Sequence, residues 1–441
     1  MFYELTPQSG GYPQWPKSDV GIPCRLRHAG GQEILFPVTP YNMLVNGKSR
    51  FGKTTFVKEY VEARMEADPN LRVVFFEIKP GDFSGQFMGP EDKIIGGDPA
   101  RFSPEQRFKP NMIREIRRAR DQEAELKQQG GCLFEEWTAD PKNGLWGQGA
   151  SDAFTGFLRT ILYCTKNEPS NAAVIRNMRN LSRIDFLRHL AKCPDNLSML
   201  RNNFEYEPGK DEKYVMPRKG SDIFFFLENV LSKFNGTFMS EDGTDTIAEF
   251  LEGNRYGKRL FISYDYSKKE CLAPFVRYYL KKIILEKLSH HSRKDQPVML
   301  VLDEISELEY DFGVMQGATL GAEYGLQIIL SSQSLEKFYT ILPRDLGEHY
   351  LNGALSGFPY LITFQPGDPQ SLDVFQRFFG QKRVQTLTMP LSRYDKPTIT
   401  TELQPIVPDE AFASLGVGEC YVKIFAAEPE RISFFRDKEV L

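Results

Sequence analysis

The chain has 441 residues, 41% apolar and 26% charged, which excludes a disordered chain and allows one large core or two to three domains. Its net charge of −4 argues against a broad polyanion-binding face, so any nucleic-acid contact has to come from local basic patches. The six cysteines, Cys24, Cys132, Cys164, Cys193, Cys271 and Cys420, form no Cys-x-x-Cys pair, and no His cluster stands at zinc spacing; this fits a reduced, cytoplasmic chain with no cysteine- or histidine-held metal.

Residues 1–7 lack the basic and apolar regions of a signal peptide, and no apolar run nears the roughly 18 residues of a membrane span. No membrane span is therefore expected. The first β-rich run, residues 43–45, leads into Gly47-Lys48-Ser49-Arg50-Phe51-Gly52-Lys53-Thr54, the G-x-x-x-x-G-K-T pattern of a P-loop, and a helical pattern follows. Tight turning at the glycines points successive N–H groups at phosphate oxygens. Residues Gly47 to Thr55 are thus the expected nucleotide-binding stretch: Lys53 would lie against the β- and γ-phosphates, and Thr54, with Thr55 as the alternative, would complete a Mg²⁺ shell. A second strand is read at residues 73–77.

Between about Ser103 and Gly220 the strand signal fades into helical, basic text at residues 111–127, 150–164 and 170–191. Arg107, Lys109, Arg114, Arg117, Arg118 and Arg120 crowd one stretch. Arg176, Arg179 and Arg183 recur at spacings that place them on one helical face. Either set reads as phosphate contacts or as a solvated helix face. The core-sized run 223–227 follows, then a strand at 260–264 and a helix at 274–288. His290 and His291, being adjacent, diverge on a helix and suggest a solvated end.

Residues 298–302 form an apolar strand ending in Asp303 and Glu304. At the carboxyl edge of a sheet, Asp303 would hold Mg²⁺ and Glu304 would act as general base or water-positioning group; alone, such a pair also reads as a solvated turn. The strand at 327–330 runs into Gln333, either a group that bonds the attacking water or γ-phosphate, or a cap for the next helix. Strands at 360–364 and 421–424 complete the pattern. The P-loop and the acidic pair are separated by more than half of the chain, so something sizeable is inserted between them. The fold expected is α/β: a P-loop core with a mostly parallel sheet and an inserted all-α domain, divided as 1–104, 105–221 and 222–441.

Taken together, these residues resemble the type IV secretion coupling proteins of the TraG/TraD group, relatives of FtsK and HerA. Arg50 stands where that group often has arginine. Phe76-Glu77-Ile78-Lys79-Pro80-Gly81-Asp82 is similar to its D-P-K-G-[DE] run, and Leu145-Trp146-Gly147 resembles the tryptophan segment opening its all-α domain. Arg259 to Asp265 resembles the strand before the Asp-Glu motif, and Leu302-Asp303-Glu304 followed by Ser331-Ser332-Gln333-Ser334 matches in order and spacing. Two departures stand out. Gly321-Ala322-Glu323-Tyr324-Gly325-Leu326 lacks the arginine of the family's G-R-x-x-G-L segment, which leaves Arg344, Arg377 and Arg383 as alternative finger candidates. The transmembrane helices with which relatives commonly begin have no counterpart.

The resemblance implies a RecA-like, hexameric ATP hydrolase using ATP and Mg²⁺, with Lys53, Glu304 and Gln333 as catalytic residues and Thr54 and Asp303 as metal ligands. It further implies a DNA translocase that couples DNA or a relaxase–DNA substrate to secretion in conjugation, cytoplasmic or recruited to the inner face of the membrane. The alternatives are a HerA- or FtsK-like DNA-processing motor outside conjugation and a non-hydrolysing, nucleotide-gated cargo adaptor.

Overall fold

A computed structural model describes residues 13–27, 32–98, 100–211, 214–253, 256–289, 296–308, 313–336, 353, 355–388 and 398–434. In chain order the strands are β1 (Gly21–Leu26), β2 (Gln32–Pro37), β3 (Met43–Asn46), β4 (Arg72–Glu77), β5 (Lys93–Gly96), β6 (Arg259–Ser263), β7 (Val298–Asp303), β8 (Leu326–Ser332), β9 (Tyr360–Thr363), β10 (Gln381–Thr388), β11 (Thr398–Pro405), β12 (Glu419–Ile424) and β13 (Glu430–Ser433). The chain divides into two compact units, Met1–Leu71 with His291–Leu441, and Arg72–His290.

In the first unit β3 lies between β8 and β9, and β7 lies on the far side of β8, all parallel. Beyond β9 the sheet continues antiparallel through β12, β13, β1 and β2. The central strands are buried along nearly their whole length, as MLVN in β3 and LQIILSS in β8 show, which is what helices on both faces require. By contrast β1 alternates buried and exposed positions, the period of a strand covered on one face.

The helix Lys53–Ala67 is pinned to this sheet by an aromatic cluster. Phe56 and Tyr60, both essentially unexposed, meet Phe36 edge-on or tilted, and Phe56 also packs on Phe434 at 4.5 Å between ring centroids. Each such ring contributes about 2–3 kcal/mol through burial, so the helix that follows the P-loop is held from behind. Strands β10 and β11 pair only with each other among the described residues, as a two-stranded ribbon.

In the second unit β6 lies between β4 and β5, all parallel, and Phe75 stacks on Phe261 at 4.9 Å. From Met112 to Glu252 the described residues form helices and no strand. The helical text at 111–127 holds two helices, Met112–Arg118 and Gln122–Thr138, because the Asp121 carboxylate accepts from the N–H groups of Glu123 and Ala124 and starts a new helix. Likewise 170–191 breaks into Asn171–Asn180 and Arg183–Ala191, capped by Ser170 and Ser182. The helix expected from 274 begins at Lys269 and runs to Leu288 with Pro274 inside it. Among the described residues no helix is long and apolar enough to cross a membrane.

Candidate active site

Strand β3 ends at Asn46, and the next residues turn sharply at three positive φ angles: 142° at Gly47, 69° at Arg50 and 104° at Gly52. Gly47 is obligatory twice over, since a Cβ there would sit 2.7 Å from Phe364 Cβ and its φ is open in practice only to glycine. The root of the loop is tied down by Gly47 N–H donating to Ser332 O (3.2 Å) and Lys48 N–H to Gln365 O (2.8 Å). On its far side Gly418 N–H donates to Phe51 O at 3.0 Å. Lys48, Ser49, Arg50 and Thr55 are exposed, Phe51, Gly52 and Thr54 half-buried or buried.

Gly52 caps the helix Lys53–Ala67 with no side-chain hydrogen bond, and the first turn holds no acidic residue. Its leading N–H groups and the positive end of the helix dipole therefore face the loop uncompensated. The Lys53 ammonium, buried, folds back onto the carbonyl oxygens of Gly47 and Lys48.

At the same sheet edge Asp303 is in register with Ser331 of β8, which is in turn in register with Val45 of β3. Asp303 is half-buried and Glu304 buried. Glu304 takes a left-handed conformation, φ 52°, and its N–H donates to Ser331 O at 2.9 Å. Glu304 Oε2 accepts the Gln333 N–H at 2.9 Å, and Gln333 Oε1 accepts the Ser49 hydroxyl at 2.8 Å. The P-loop, Gln333 and Glu304 thus form one hydrogen-bonded chain. Two buried polar atoms at this edge, Asn46 Oδ1 and Ser331 Oγ, have no partner among the described residues, as expected where water or a ligand completes the set.

These residues fit a nucleoside triphosphate with Mg²⁺: an uncapped helix N-terminus behind a glycine-bent loop, one buried ammonium, a hydroxyl and a carboxylate of the oxygen-donor type that Mg²⁺ takes. Sequence reasoning missed the groups that frame the loop, Gln365, Gly367 and Gly418, because only the register of β9 and β12 brings them there.

The basic residues fare unevenly. Arg107 pairs with Glu241, Arg114 with Glu168 and Glu249, and Arg118 with Glu249 and Glu252, while Arg117 donates to the carbonyls of Thr165, Lys166 and Asn167. These four cations are engaged in holding the second unit together. Arg176 and Arg179 lie exposed on one helix, but Arg183 opens the next, so the single face expected from their spacing is broken at Leu181 and Ser182. Of the finger candidates, Arg377 is on the helix Pro369–Phe379, Arg383 is exposed on β10, and Arg344 lies outside the described residues, as do His290 and His291.

A strand that runs into a P-loop, with an acidic pair ending the strand two places along a parallel sheet, defines a RecA-like P-loop NTPase. A family model described as the type IV secretion-system coupling protein DNA-binding domain matches residues 141–408, more than half of the chain, and the chain belongs to that family. No curated protein sequence matches it. Among solved structures it is similar to the bacterial conjugative coupling protein TrwBΔN70 in an unbound form, with 15% identity and TM-score 0.72 over 96% of this chain and 90% of that one. The plasmid coupling protein TrwB in complex with ADP and Mg²⁺ gives 15% identity and TM-score 0.67 over 97% and 98%. VirB4 of Thermoanaerobacter pseudethanolicus gives 12% and 0.55 over 96% and 98%. At these identities the likeness concerns the fold.

Proposed function

We propose that this protein is an ATP hydrolase that moves DNA, the coupling ATPase of a conjugative type IV secretion system. The observation that carries the reading is the chain Ser49–Gln333–Glu304 beside an uncapped P-loop helix. Membership of a coupling-protein DNA-binding family and similarity in fold to a coupling protein solved with ADP and Mg²⁺ support it.

Bound ATP with Mg²⁺ would supply the phosphoanhydride bond whose cleavage drives movement. The loop N–H groups from Ser49 to Thr55 would hold the phosphates, and the Lys53 ammonium, now on the Gly47 and Lys48 carbonyls, would supply the charge that neutralises them. Thr54 and Asp303 would hold the metal. Glu304 accepts a proton from the attacking water or orients it, and Gln333 fixes that water's position. Since Glu304 receives its hydrogen bond from the Gln333 backbone, any shift of the Gln333 turn moves the base. Assembly as a homo-hexamer, with Arg377 or Arg383 reaching a neighbour's site, and delivery of a relaxase–DNA substrate at the inner face of the membrane, complete the proposal. The helical stretch between the two motifs is the proposed seat of cargo recognition.

The test is steady-state ATP hydrolysis with and without single- and double-stranded DNA over a protein concentration series, with Lys53→Ala and Glu304→Gln as controls. DNA-stimulated turnover that rises cooperatively with protein and vanishes in both variants supports a ring-forming motor. Full activity in either variant sinks the site assignment. A second reading, a nucleotide-gated adaptor, is favoured by Ala322 standing in the short 3₁₀ turn Gly321–Tyr324 where the family's arginine is expected; ATP binding with no turnover under any of these conditions would select it.

A further inference from the structure

The turn that presents Gln333 is held from behind by a pair of residues on another element. Leu335 N–H donates to Ser371 Oγ at 2.8 Å. That hydroxyl donates onward to Asp368 Oδ2 at 2.6 Å, and the Ser371 N–H donates to Asp368 Oδ1 at 2.8 Å. Ser371 is fully buried. Asp368 is the N-cap of the helix Pro369–Phe379, with proline in the first turn. A helix cap needs only the aspartate accepting a backbone N–H; the serine hydroxyl adds a second link, from the cap to the Gln333 turn. The approach is close at Gly367 too, where a Cβ would lie 3.0 Å from Gln333 O.

The helix so anchored is the mount of the β10–β11 ribbon. Gly380 ends it, Ile406 N–H donates to Gly380 O at 3.0 Å, and the ribbon between them pairs with no other described strand. Its outer positions Ile399 and Leu403 are 60% and 63% exposed. The helix therefore has a two-stranded ribbon at one end and, at the other, one hydrogen bond, braced by the Asp368 cap, to the turn whose Gln333 N–H donates to Glu304.

We infer that Asp368 and Ser371 are positioning residues, a clamp through which the helix Pro369–Phe379 and its ribbon set the place of Gln333 and, through it, Glu304. The inference rests on the proposed ATPase reading for its kinetic consequence, though not for its structural one. With the hydroxyl removed, Leu335 N–H loses a buried acceptor and the turn loosens, while the P-loop keeps its own bonds to Ser332 and Gln365. Binding of nucleotide and its turnover should then separate.

The experiment compares the full chain with Ser371→Ala and Ser371→Thr. Hydrogen exchange by mass spectrometry is followed over the peptides covering 326–336 and 43–60, alongside ATP turnover. The clamp predicts exchange at 333–336 faster by about tenfold or more in Ser371→Ala, with 43–60 unchanged, and wild-type exchange in Ser371→Thr, which keeps the hydroxyl. It predicts kcat lower by about tenfold with KM for ATP within about twofold in Ser371→Ala, and recovery in Ser371→Thr. Unchanged exchange at 333–336 in Ser371→Ala overturns the clamp. Equal losses of kcat in both variants, or a rise in KM matched by faster exchange at 43–60, overturn it as well, since a general weakening of the unit would do that. If the wild type itself turns over no ATP, the ATPase reading fails while the exchange comparison still decides the clamp.

Discussion

The Ser49 hydroxyl donates to Gln333 Oε1 across 2.8 Å, so the third residue of the P-loop and the glutamine after β8 hold each other. That bond takes one of the two acceptor positions of the Gln333 amide oxygen and fixes the orientation of the other. Gln333→Ala is expected to lower kcat by roughly 10²-fold with ATP affinity kept, the usual size for one transition-state hydrogen-bond group. Ser49→Ala, which frees the glutamine, is expected to change ATP affinity by no more than about tenfold, the range of one net hydrogen bond. Steady-state kinetics with a separate fluorescence binding titration distinguishes the two; an affinity loss in Gln333→Ala as large as the kcat loss would assign it to ground-state binding.

Gly47→Ala tests the loop's geometry. At φ 142°, with a Cβ 2.7 Å from Phe364 Cβ, alanine has no relaxed conformation available, and a cost of about 1–3 kcal/mol is expected. Urea titration should show it with the m-value unchanged, and nucleotide binding should be lost. A variant of wild-type stability that still binds ATP would show that the loop turns differently.

The second unit carries a buried ionic network with a defined pH signature. Glu115 is fully unexposed; burial pushes its carboxyl from the ordinary 4.5 up to about 8, the Lys282 ammonium opposing and Glu125 adding to the rise. Glu125 is itself paired with Lys282 and accepts the Tyr278 hydroxyl. Glu115 therefore keeps a proton in the folded chain that the unfolded chain releases. Its contribution to stability is present at low pH and is lost as pH rises from about 4.5 towards 8. Glu115→Gln keeps an acceptor for Ile247 N–H and removes the titration, so thermal midpoints of the variant should fall less over that window than those of the wild type. Parallel slopes would mean that Glu115 is ionised in the fold.

The arginines separate into two groups with opposite expectations. Arg176→Ala with Arg179→Ala, exposed side chains of which Arg179 is held only by long contacts to Glu228 and Asn235, should weaken DNA binding and reduce the slope of log affinity against log salt by about 2, one for each phosphate that is no longer neutralised. Arg114→Ala, whose cation already serves Glu249 and Glu168, should leave that slope unchanged and lower stability by about 1 kcal/mol or less. Filter binding over a salt series measures the slopes and urea titration the stability; a larger drop in slope from Arg114→Ala than from the pair would reverse the assignment.

Much of the site was legible before any fold was known, because its pieces are local. The P-loop needs consecutive residues with particular backbone freedom, and the Asp303–Glu304 pair needs only an apolar strand before it. The strands at 43, 73, 260, 298, 327 and 360 were readable because buried parallel strands are largely apolar runs, and the antiparallel strand at 421 was readable from its β-branched residues. Strands β1, β2, β5, β10, β11 and β13 were not: β1 alternates in burial and holds Pro23, and the four-residue β5 and β13 are too short to give a pattern.

What the sequence determined by itself was the chemistry on offer: a phosphate loop, an acidic strand end, a glutamine turn and a stock of arginines. Only the tertiary structure decided which of these meet. The parallel register of β3, β8 and β7 brings Ser49, Gln333 and Glu304 into one chain, and the packing of the second unit engages Arg107, Arg114, Arg117 and Arg118 internally. The clamp of Ser371 on Leu335 joins residues on separate elements in the same way. The reason is physical: local conformation follows from backbone freedom and side-chain pattern over a few residues, whereas the partner of a charge or hydroxyl is set by strand order and helix packing between segments far apart in the chain.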